Sequence, residues 1–344
     1  MSPSKKKLVV IGDTFCDIIA LDVRLPSTWG TDTLAREIKV VAGGSALNIT
    51  LHAANYSEFL GSEVTVHFFS STGADFQGHV CRDSLQHPCL DATKVLIDEN
   101  LRTGSCIVLS GVDDRSFVTD RGCIKDLSSS WFPRDSLLSS SMNHIHIGGF
   151  YNCDALQSEI PLLLREAREL SMTTSLNPQY DATGKWEGIK ELCPYLTFFI
   201  ANEQELSAVT KVHEGSSIVM NATVLLNWGC EVVVVTLGSK GAILFRKQAV
   251  NGECEQSSQI SDSIGDVNVS SIIQHAVKVE VVDTTGAGDA FTGGFIIDWI
   301  VNSNMSSALH AGCLAGSAAV MHVGGSKYSI DSLKQVFLCS SSNS

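Results

Sequence analysis

The chain of 344 residues is 44% hydrophobic and 18% charged, a composition that supports a large core and excludes an intrinsically disordered protein. Its formal net charge of −13 argues against nucleic acid as a partner, because nucleic-acid binding needs a basic face that displaces counterions. No apolar stretch approaches the about 20 residues needed to cross a bilayer, and the eleven cysteines include no Cys-x-x-Cys pair. We therefore expect a cytoplasmic protein with reduced thiols, a small-molecule partner and no membrane partner.

Strand-like apolar runs alternate with helix-like segments along most of the chain. The runs expected to form strands are 8–11, 64–69, 144–147, 196–201, 231–237 and 277–282. The segments expected to form helices are 45–60, 154–170, 203–209, 218–228 and 309–323. This alternation predicts an α/β fold whose parallel sheet is covered by helices on both faces. Ligands of such sheets bind beyond the carboxyl ends of the strands, where several of these runs end in glycine or polar residues.

Three segments depart from this alternation. Residues from about 21 to 40 and from about 103 to 126 lack helical periodicity, and we expect them to form a small β-structured lid over the site. Residues 248–272 are polar and rich in Ser, Gln and Asp, which predicts a surface insertion. We expect residues 1–344 to form one domain. The exposed lid strands offer an edge through which two copies could pair as a homodimer.

The sequence DTTGAGDAFTGGF at 283–295 has the pattern of a tight turn leading into a helix. Gly286, Ala287 and Gly288 carry almost no side chain, so their N–H groups can point at a ligand. Unpaired N–H groups at a helix start and the helix dipole both favour an anion. Asp289 follows in the first helical turn, where its carboxylate can accept the proton of an attacking hydroxyl. These are the parts of a phosphoryl-transfer centre, although glycine turns and Asp caps also occur for structural reasons alone.

A second motif, VVAGGSALN at 40–48, also leads into a predicted helix. Gly43 and Gly44 follow an apolar pair and permit an unusual backbone bend. Asn48 lies one turn into the following helix, where its side chain can reach a ligand at the helix start. A simple turn before a helix explains the same residues without any ligand.

The two motifs, in this order, resemble the signatures of the ribokinase-like sugar kinases, the phosphofructokinase-B (pfkB) family. The resemblance extends from about residue 8 to residue 328 and implies a three-layer α/β/α fold with a mostly parallel central sheet and a small β lid. It implies that Asp289 is the catalytic base and that the amides at 286–288 stabilise the transferring phosphoryl group. It further implies that Gly43 and Gly44 form a lid hinge and that Asn48 contacts the substrate.

Two carboxylates follow the first predicted strand in the sequence GDTFCD at 12–17. A carboxylate at that position can accept hydrogen bonds from two neighbouring sugar hydroxyls at once. The resemblance places a substrate-binding aspartate at Asp17. Asp13 is a second candidate, and capping of the turn explains it equally well.

The resemblance also implies sites for ATP, Mg²⁺ and a monovalent cation, usually K⁺. Asn202 and Glu205 match an Asn-x-x-Glu element of the Mg²⁺–phosphate network, and one carboxylate of this kind suits Mg²⁺, but the same four residues also form an ordinary helix cap. Asp283 and Thr285 match the positions of the monovalent-cation site. The other residues expected near the nucleotide are Asn177, Thr236, Gly238, Gly241, His310 and Cys313. Helix packing is the competing explanation for the last two.

These residues predict an ATP-dependent kinase that phosphorylates a hydroxyl group, expected to be primary. A neutral sugar such as ribose or fructose ranks first, because Asp17 and Asn48 suit a polyol. A nucleoside kinase of the adenosine type is an alternative, and it would need an aromatic clamp for the base. The loose candidates for that clamp are Phe117, Trp131 and Phe132. A keto-sugar-acid kinase is another alternative, in which Arg115 or Arg121 would meet the substrate charge. A non-catalytic sugar or nucleotide sensor would not need Asp289 as a base.

Overall fold

The protein is described by a computed structural model covering residues 5–24, 30–111, 115–213, 215–248, 268–325 and 329–341. The strands of these residues are β1 (Lys6–Gly12), β2 (Phe15–Leu21), β3 (Glu37–Gly43), β4 (Val64–Gly73), β5 (Leu90–Asp98), β6 (Gly104–Ser110), β7 (Arg115–Asp120), β8 (His144–Gly148), β9 (Thr173–Leu176), β10 (Phe198–Asn202), β11 (Val232–Thr236), β12 (Ala242–Lys247) and β13 (Val269–Gln274). Nine of the described strands form one sheet in the order β13-β12-β11-β10-β9-β8-β1-β4-β5. Its pairs are parallel except at the β12 end, where β11–β12 and β12–β13 are antiparallel.

Helices connect the parallel strands and cover the sheet. The α-helices of the described residues are α1 (Ser45–Phe59), α2 (Phe76–Ser84), α3 (Arg134–Leu137), α4 (Asp154–Gln157), α5 (Ile160–Glu169), α6 (Ile189–Leu192), α7 (Glu203–Thr210), α8 (Ile218–Asn227), α9 (Ala287–Asn302), α10 (Met305–Ala319) and α11 (Ile330–Ser341). In the part of the chain that the structure covers, no helix combines the length and the apolar character needed to cross a bilayer.

Successive residues of the central strands face opposite helix layers. Leu8 and Val10 of β1 belong to one buried cluster, which they share with residues of α1, α9 and α10. Val9 and Ile11 of the same strand belong to a second cluster, which contains residues of α5 and α8. A strand that is buried on both faces must be apolar throughout, which explains the continuous apolar run at its position in the sequence. The expected three-layer α/β/α fold with a mostly parallel sheet is confirmed.

A second, smaller sheet has four strands in the order β3-β2-β6-β7. Its strands draw on the segments 21–40 and 103–126, but β2 begins earlier, at Phe15, and β3 continues to Gly43. The hairpin of β2 and β3 leaves the large sheet directly after β1 and returns directly into α1. The small sheet is therefore joined to the molecule at the carboxyl edge of the large sheet, where ligands bind in folds of this kind. We refer to these four strands as the lid sheet.

The expectation of a strand at 277–282 is wrong. These residues have no regular structure, and the strand β13 lies earlier in the chain, at Val269–Gln274. Val277 and Val279 pack against the core, while Val282 donates its N–H to Val320 O at 2.7 Å. A β-branched run fits any half-buried extended segment, with or without a partner strand. The apolar pattern therefore does not distinguish a strand of the sheet from an extended segment beside it.

Three further boundaries differ from those expected, and the first is the helix expected at 309–323, which is α10 at Met305–Ala319. The helix expected at 154–170 is divided into α4 and α5, and Pro161 lies at the start of the second helix. Proline lacks an N–H and fits the first turn of a helix, so it favours a new start over continuation. Of the insertion expected at 248–272, residues 249–267 lie outside the described residues, while 269–272 belong to β13.

Candidate functional site

The carboxylate of Asp289 joins the two sequence motifs. It lies in the first turn of α9 and is 8% exposed. Ser45, the first residue of α1, donates its hydroxyl to Asp289 Oδ1 at 2.8 Å, and Asn48 Nδ2 donates to Oδ2 at 2.9 Å. The helices can approach this closely because Gly293 has no side chain, and a Cβ there would lie 2.8 Å from Ala53 N.

The turn before Asp289, where an anion site is expected, has a backbone conformation set by glycine. Gly286 is the N-cap of α9 with φ of 74°, a left-handed conformation that favours glycine. A Cβ on Gly286 would lie 2.2 Å from Gly325 O, so the two segments pack backbone to backbone. The Ala287 N–H donates to Thr284 O at 3.3 Å within the turn. A Cβ on Gly288 would meet no atom within 4 Å, so this face of the helix start is open to a ligand.

Burial makes Asp289 a stronger proton acceptor than an ordinary aspartate. The pKa of Asp289 is raised to about 7, mainly by loss of hydration on burial and to a smaller extent by the nearby charges of Asp13 and Glu205. The hydrogen bonds from Asn48 and Ser45 stabilise the ionised form and oppose the shift. A carboxyl group with a pKa near 7 can both accept and release a proton at physiological pH.

Asp13 is buried and forms contacts within the protein. Its Oδ1 accepts from Ala46 N at 2.8 Å and its Oδ2 accepts from Asn152 Nδ2 at 2.7 Å. Burial raises the pKa of Asp13, against these hydrogen bonds. The residue therefore stabilises the start of α1, and each of its oxygens keeps a further lone pair with which it can accept a hydrogen bond.

Asp17 lies on β2 of the lid sheet, next to the predicted hinge. Burial, together with the charge of Asp13, raises the pKa of Asp17 to about 7. A Cβ on Gly43 would lie 2.1 Å from Asp17 Oδ2, so glycine is required there for the carboxylate to keep its position. Gly44 follows as the N-cap of α1. The lid strand thus delivers Asp17 to the same edge of the large sheet as Asp289.

Asn48 and Gln179 surround the carboxylate of Asp289 with amide groups. The Oδ1 atom of Asn48 is buried and has no hydrogen-bond partner in the part of the chain that the structure covers. Gln179 Nε2 donates to Ser45 Oγ at 2.7 Å and approaches Asp289 Oδ1 at 3.4 Å. A buried amide oxygen without a partner costs free energy, and the hydroxyl of a bound substrate would remove that cost.

Asn202 and Glu205 form a capping box at the start of α7. Glu205 N donates to Asn202 Oδ1 at 2.9 Å, and Asn202 N donates to Glu205 Oε2 at 3.1 Å. Burial raises the pKa of Glu205, whose charge also acts on Asp289. The described residues contain no group of three or more His, Cys, Asp or Glu side chains that could hold a metal. One carboxylate fits Mg²⁺, which binds through few protein ligands, water and substrate phosphates.

The other residues expected at the nucleotide follow the neighbouring strands. Thr236 ends β11 and pairs with Asn202 at the end of β10. Gly238 and Gly241 belong to the turn between β11 and β12, and a Cβ on Gly238 would meet no atom within 4 Å. Asn177 follows β9, where its Oδ1 accepts from Thr292 Oγ1 at 3.4 Å. These residues therefore share the carboxyl edge of the sheet with Asp289.

His310 and Cys313 lie on α10, which packs against α9. Cys313 is 5% exposed and belongs to the hydrophobic core, with its Sγ 3.7 Å from Gln274 O. His310 is half-buried on the same helix. The position of Cys313 is that of a helix-packing residue, as the competing explanation proposed.

Asp283 and Thr285 form a compact polar turn before α9. Asp283 Oδ1 accepts from Thr285 N at 2.9 Å and Thr285 Oγ1 at 2.7 Å, and Oδ2 accepts from Gly324 N at 3.0 Å. Burial opposes ionisation, but these hydrogen bonds and Arg115 together lower the pKa of Asp283. Arg115, on β7 of the lid sheet, also donates to Thr284 Oγ1 at 2.8 Å and contacts Thr285 Oγ1.

Sequence reasoning assigned no site role to Ser45, Asn152 or Gln179. Ser45 stands inside the Gly-Gly motif, so its place at the helix start was a usable signal. Gln179 follows Asn177 by two residues and has φ of 60°, an unusual conformation for a residue other than glycine. Such backbone strain often marks a functional position, but it is visible only in the structure.

An α/β sheet with this lid, and a buried carboxylate behind a glycine-rich helix start, are the features of a ribokinase-like kinase. A family profile described as pfkB family carbohydrate kinase matches residues 5–332. The chain therefore belongs to the pfkB family of carbohydrate kinases, the family that its motifs resemble. Its identification as a phosphotransferase that acts on a hydroxyl group is confirmed at the level of this family.

Individual relatives include both sugar and nucleoside kinases. The chain is 24% identical to the ribokinase of Haemophilus influenzae over 331 residues, covering 93% of this chain and 94% of that protein. It is 26% identical to the adenosine kinase of Saccharomyces cerevisiae over 307 residues, covering 84% and 80%. The structure of Arabidopsis thaliana ribokinase complexed with ribose and ATP matches with a TM-score of 0.75, at 22% identity, over 96% of this chain and 98% of that chain. This likeness shows the shared fold.

The raised pKa of Asp289 predicts that its ionised carboxylate destabilises the native state. Because the ordinary pKa is 3.8 and the native one about 7, the unfolded state ionises first, and stability falls as the pH rises through this window. We expect Asp289→Asn to raise the melting temperature by a few degrees at about pH 8 and by less at about pH 5, where the native aspartic acid is already neutral.

Thermal unfolding of wild type and Asp289→Asn at the two pH values measures this difference. Asp331→Asn is the control, because Asp331 is an exposed surface carboxylate. If the difference in melting temperature between Asp289→Asn and wild type is no larger at the higher pH than at the lower pH, ionisation of Asp289 does not destabilise the native state.

Proposed function

We propose that this protein transfers the γ-phosphoryl group of ATP to a hydroxyl group of a neutral sugar, expected to be a primary hydroxyl. The observation that carries the proposal is the carboxylate of Asp289, buried behind the amide turn at 286–288 with a pKa of about 7. Such a group is suited to accept a proton from an attacking hydroxyl. The family membership and the ribokinase relatives support the same reaction.

The chemistry follows from the position of these groups. The acceptor hydroxyl attacks the γ-phosphorus as its proton passes to Asp289, and the bond from that phosphorus to the bridging oxygen of ADP breaks. The N–H groups of Gly286 and Gly288, with that of Ala287 once it leaves its 3.3 Å hydrogen bond to Thr284 O, stabilise the negative charge on the transferring group. The carboxylate of Glu205 would hold Mg²⁺, which would supply positive charge to offset that of the phosphates. Closure of the lid about Gly43 and Gly44 excludes water from the attack.

The hydrogen-bonding groups around the proposed sugar site favour a polyol substrate. Asp17 offers a carboxylate that can accept from two hydroxyls, and Asn48 Oδ1 offers a buried acceptor that has no partner in the described residues. Asp13 lies beside them as a second carboxylate, although both of its oxygens already accept hydrogen bonds. Hydroxyl groups can donate to all of these acceptors, and the two carboxylates would repel an anionic group, which supports ribose, fructose or a similar sugar.

The ion pairs of Arg115 and Arg121, in the lid region, argue against a keto-sugar acid as the substrate. Arg115 pairs with Asp283, and Arg121 pairs with Asp154. A charge that is engaged by a carboxylate is less available to an anionic substrate. We therefore rank an acidic sugar below a neutral one.

The nucleoside alternative keeps one specific feature in its favour. Phe132 is 5% exposed and packs edge-on against Phe69 in the core, so it cannot clamp a base. Tyr180, however, is 72% exposed, stands next to Gln179 and contacts Trp186 edge-on with ring centroids 5.6 Å apart. An exposed aromatic ring can stack on a nucleobase. The adenosine kinase relatives make this the second candidate.

We assign the binding of ATP mainly to residues at the carboxyl ends of the strands of the large sheet. We propose that Asn177, Asn202, Thr236 and the turn of Gly238 and Gly241 contact the phosphates and ribose of ATP, and that His310 and Cys313 flank the adenine. Their common position at the carboxyl edge of the sheet supports this assignment. The buried packing of Cys313 weakens its part in it.

The proposal predicts Mg·ATP-dependent release of ADP in the presence of a neutral sugar. A coupled assay against ribose, fructose, adenosine, a keto-sugar acid and a sugar phosphate identifies the acceptor class. With the best acceptor, Asp289→Asn should lower kcat by about 10²–10⁴-fold, because the proton acceptor is removed. Asp298→Asn is a matched control, since Asp298 lies on the same helix and accepts from Asn302 Nδ2 at 2.8 Å, away from the turn.

Two outcomes of this assay would reject the proposed reaction. Near-normal turnover by Asp289→Asn would remove the proposed base. If folded protein that binds ATP releases no ADP with any acceptor, the non-catalytic sensor is favoured. Turnover on adenosine alone would keep the reaction and replace the sugar by a nucleoside.

We also propose that two copies associate through the lid sheet. Val40, Ile107 and Val118 belong to one row across the lid sheet, in which Ile18 of β2 lies between Val40 and Ile107, and they are 44%, 44% and 60% exposed. The other face of the same strands carries Asp17, so the apolar row faces away from the site. An exposed apolar sheet face with two open edges favours pairing with a second lid.

This association predicts a dimer that a charge in the apolar row disrupts. Val118→Lys should shift the protein from dimer to monomer, because a charge buried in an apolar interface loses its hydration. Light scattering after size-exclusion chromatography measures the mass. Leu162→Lys serves as the control, because Leu162 is also exposed but lies on α5. A wild-type monomer at all concentrations would contradict the proposal.

We place the enzyme in the cytoplasm. The described residues contain ten free cysteines, nine of them buried, and such thiols are typical of proteins from reducing compartments. The result expected from fractionation of the source cells is recovery with cytoplasmic marker enzymes, and recovery with a secretory compartment would contradict it.

A further inference from the structure

Arg115 crosses from the lid sheet to the turn that precedes the proposed catalytic helix. It is the first residue of β7, and its guanidinium contacts three consecutive residues of that turn. Nη1 lies 3.3 Å from Asp283 Oδ1 and contacts Thr285 Oγ1, while Nη2 donates to Thr284 Oγ1 at 2.8 Å. The Asp283 and Arg115 side chains are 21% and 27% exposed, so the ion pair is largely shielded from water.

Asp283 and Thr285 are the residues at which the family resemblance implies a monovalent cation. Asp283 Oδ1 already accepts from Thr285 N and Thr285 Oγ1, and its Oδ2 accepts from Gly324 N. A metal ion binds through oxygen lone pairs directed at it, and with Arg115 in place these lone pairs are directed at N–H and O–H groups of the protein. The residues present therefore do not fit a K⁺ ion together with the guanidinium.

A cation at this position offsets the negative charge of Asp283. Asp283 lies three residues before the proposed anion-binding turn at 286–288, and its pKa is lowered, so it is ionised at neutral pH. An uncompensated carboxylate would repel the ATP phosphates in a partly buried site, where charges interact more strongly than in water. A guanidinium remains protonated at all physiological pH values and offers a planar fork of donors.

We infer that the guanidinium of Arg115 is the resident cation of the Asp283–Thr285 turn, in place of a monovalent metal ion. Arg115 acts as a positioning residue: it neutralises Asp283 and holds the turn that supplies the amides at 286–288. The inference deepens the proposed function, since it rests on that turn as the phosphate site. Nucleotide binding by this enzyme is then independent of K⁺.

The same contact links the proposed nucleotide site to the proposed sugar site. Arg115 pairs with Ser110 of β6, and Ser110 pairs with Leu21 of β2, the strand that also carries Asp17. The proposed acceptor carboxylate and the resident cation thus belong to one hydrogen-bonded sheet. With the lid displaced, the turn loses its cation, so we expect nucleotide binding to weaken in the open form.

The test compares ADP binding by calorimetry, and thermal unfolding, in KCl, NaCl and tetramethylammonium chloride at equal ionic strength. For wild type, we expect the same ADP affinity and the same melting temperature in all three salts. For Arg115→Ala, ADP affinity should fall about 10–100-fold in tetramethylammonium chloride, the range for loss of hydrogen bonds from a charged group. KCl should restore part of it and raise the melting temperature of this variant, because the vacated oxygens can then hold the ion.

Two further variants separate charge from packing. Arg115→Lys should retain an intermediate ADP affinity, since it keeps the charge and loses the planar fork. Arg102→Ala should bind ADP as wild type does, because Arg102 is 82% exposed and pairs with Asp120 at the surface of the lid region.

Two results would overturn the inference. The first is a saturable increase in the ADP affinity or the melting temperature of wild type that K⁺ causes and Na⁺ does not. The second is an Arg115→Ala variant that binds ADP like wild type without K⁺. The wild-type measurement decides the matter even if the variant fails to fold. Since neither readout needs an acceptor or turnover, a failure here is distinguishable from a failure of the proposed reaction.

Discussion

The hydrogen bonds from Ser45 and Asn48 to the buried carboxylate of Asp289 are the interaction on which the proposed site depends. They fix the start of α1 against the start of α9, although the two segments lie at opposite ends of the chain. Both helices begin at a glycine with positive φ, Gly44 and Gly286. Each helix start therefore follows a sharp change of backbone direction. As a result, the proposed lid hinge and the amide turn at 286–288 both lie beside the carboxylate of Asp289.

Electrostatics explains how an acidic chain can handle an anionic nucleotide. The formal net charge is −13, but the proposed phosphate site is built from backbone N–H groups, and Arg115 neutralises the nearby carboxylate of Asp283. Burial keeps Asp17 and Asp289 largely neutral until about pH 7, which limits the repulsion among neighbouring carboxyl groups. The cost is lower stability once they ionise, and enzymes commonly accept such a cost at functional sites.

Much of this architecture was predictable from the sequence, because strands buried on both faces leave continuous apolar runs and glycine motifs mark sharp turns. The prediction of a strand at 277–282 was wrong, since β-branched residues favour an extended backbone whether or not a partner strand exists. Gln179 and Arg115 could not be placed, because their contacts join segments that only the tertiary fold brings together. Their roles depend on distance and burial, which a single sequence does not carry.

The most direct measurement of the central claim is the pH dependence of kcat/KM for the best acceptor. If buried Asp289 accepts the proton, kcat/KM should reach a plateau above about pH 7 and fall about tenfold per pH unit well below it, because protonation removes the base. Asp17, with a similar pKa, can steepen the fall but cannot reverse it. A profile that is flat between about pH 5 and 9, or that rises as the pH falls, would contradict the account.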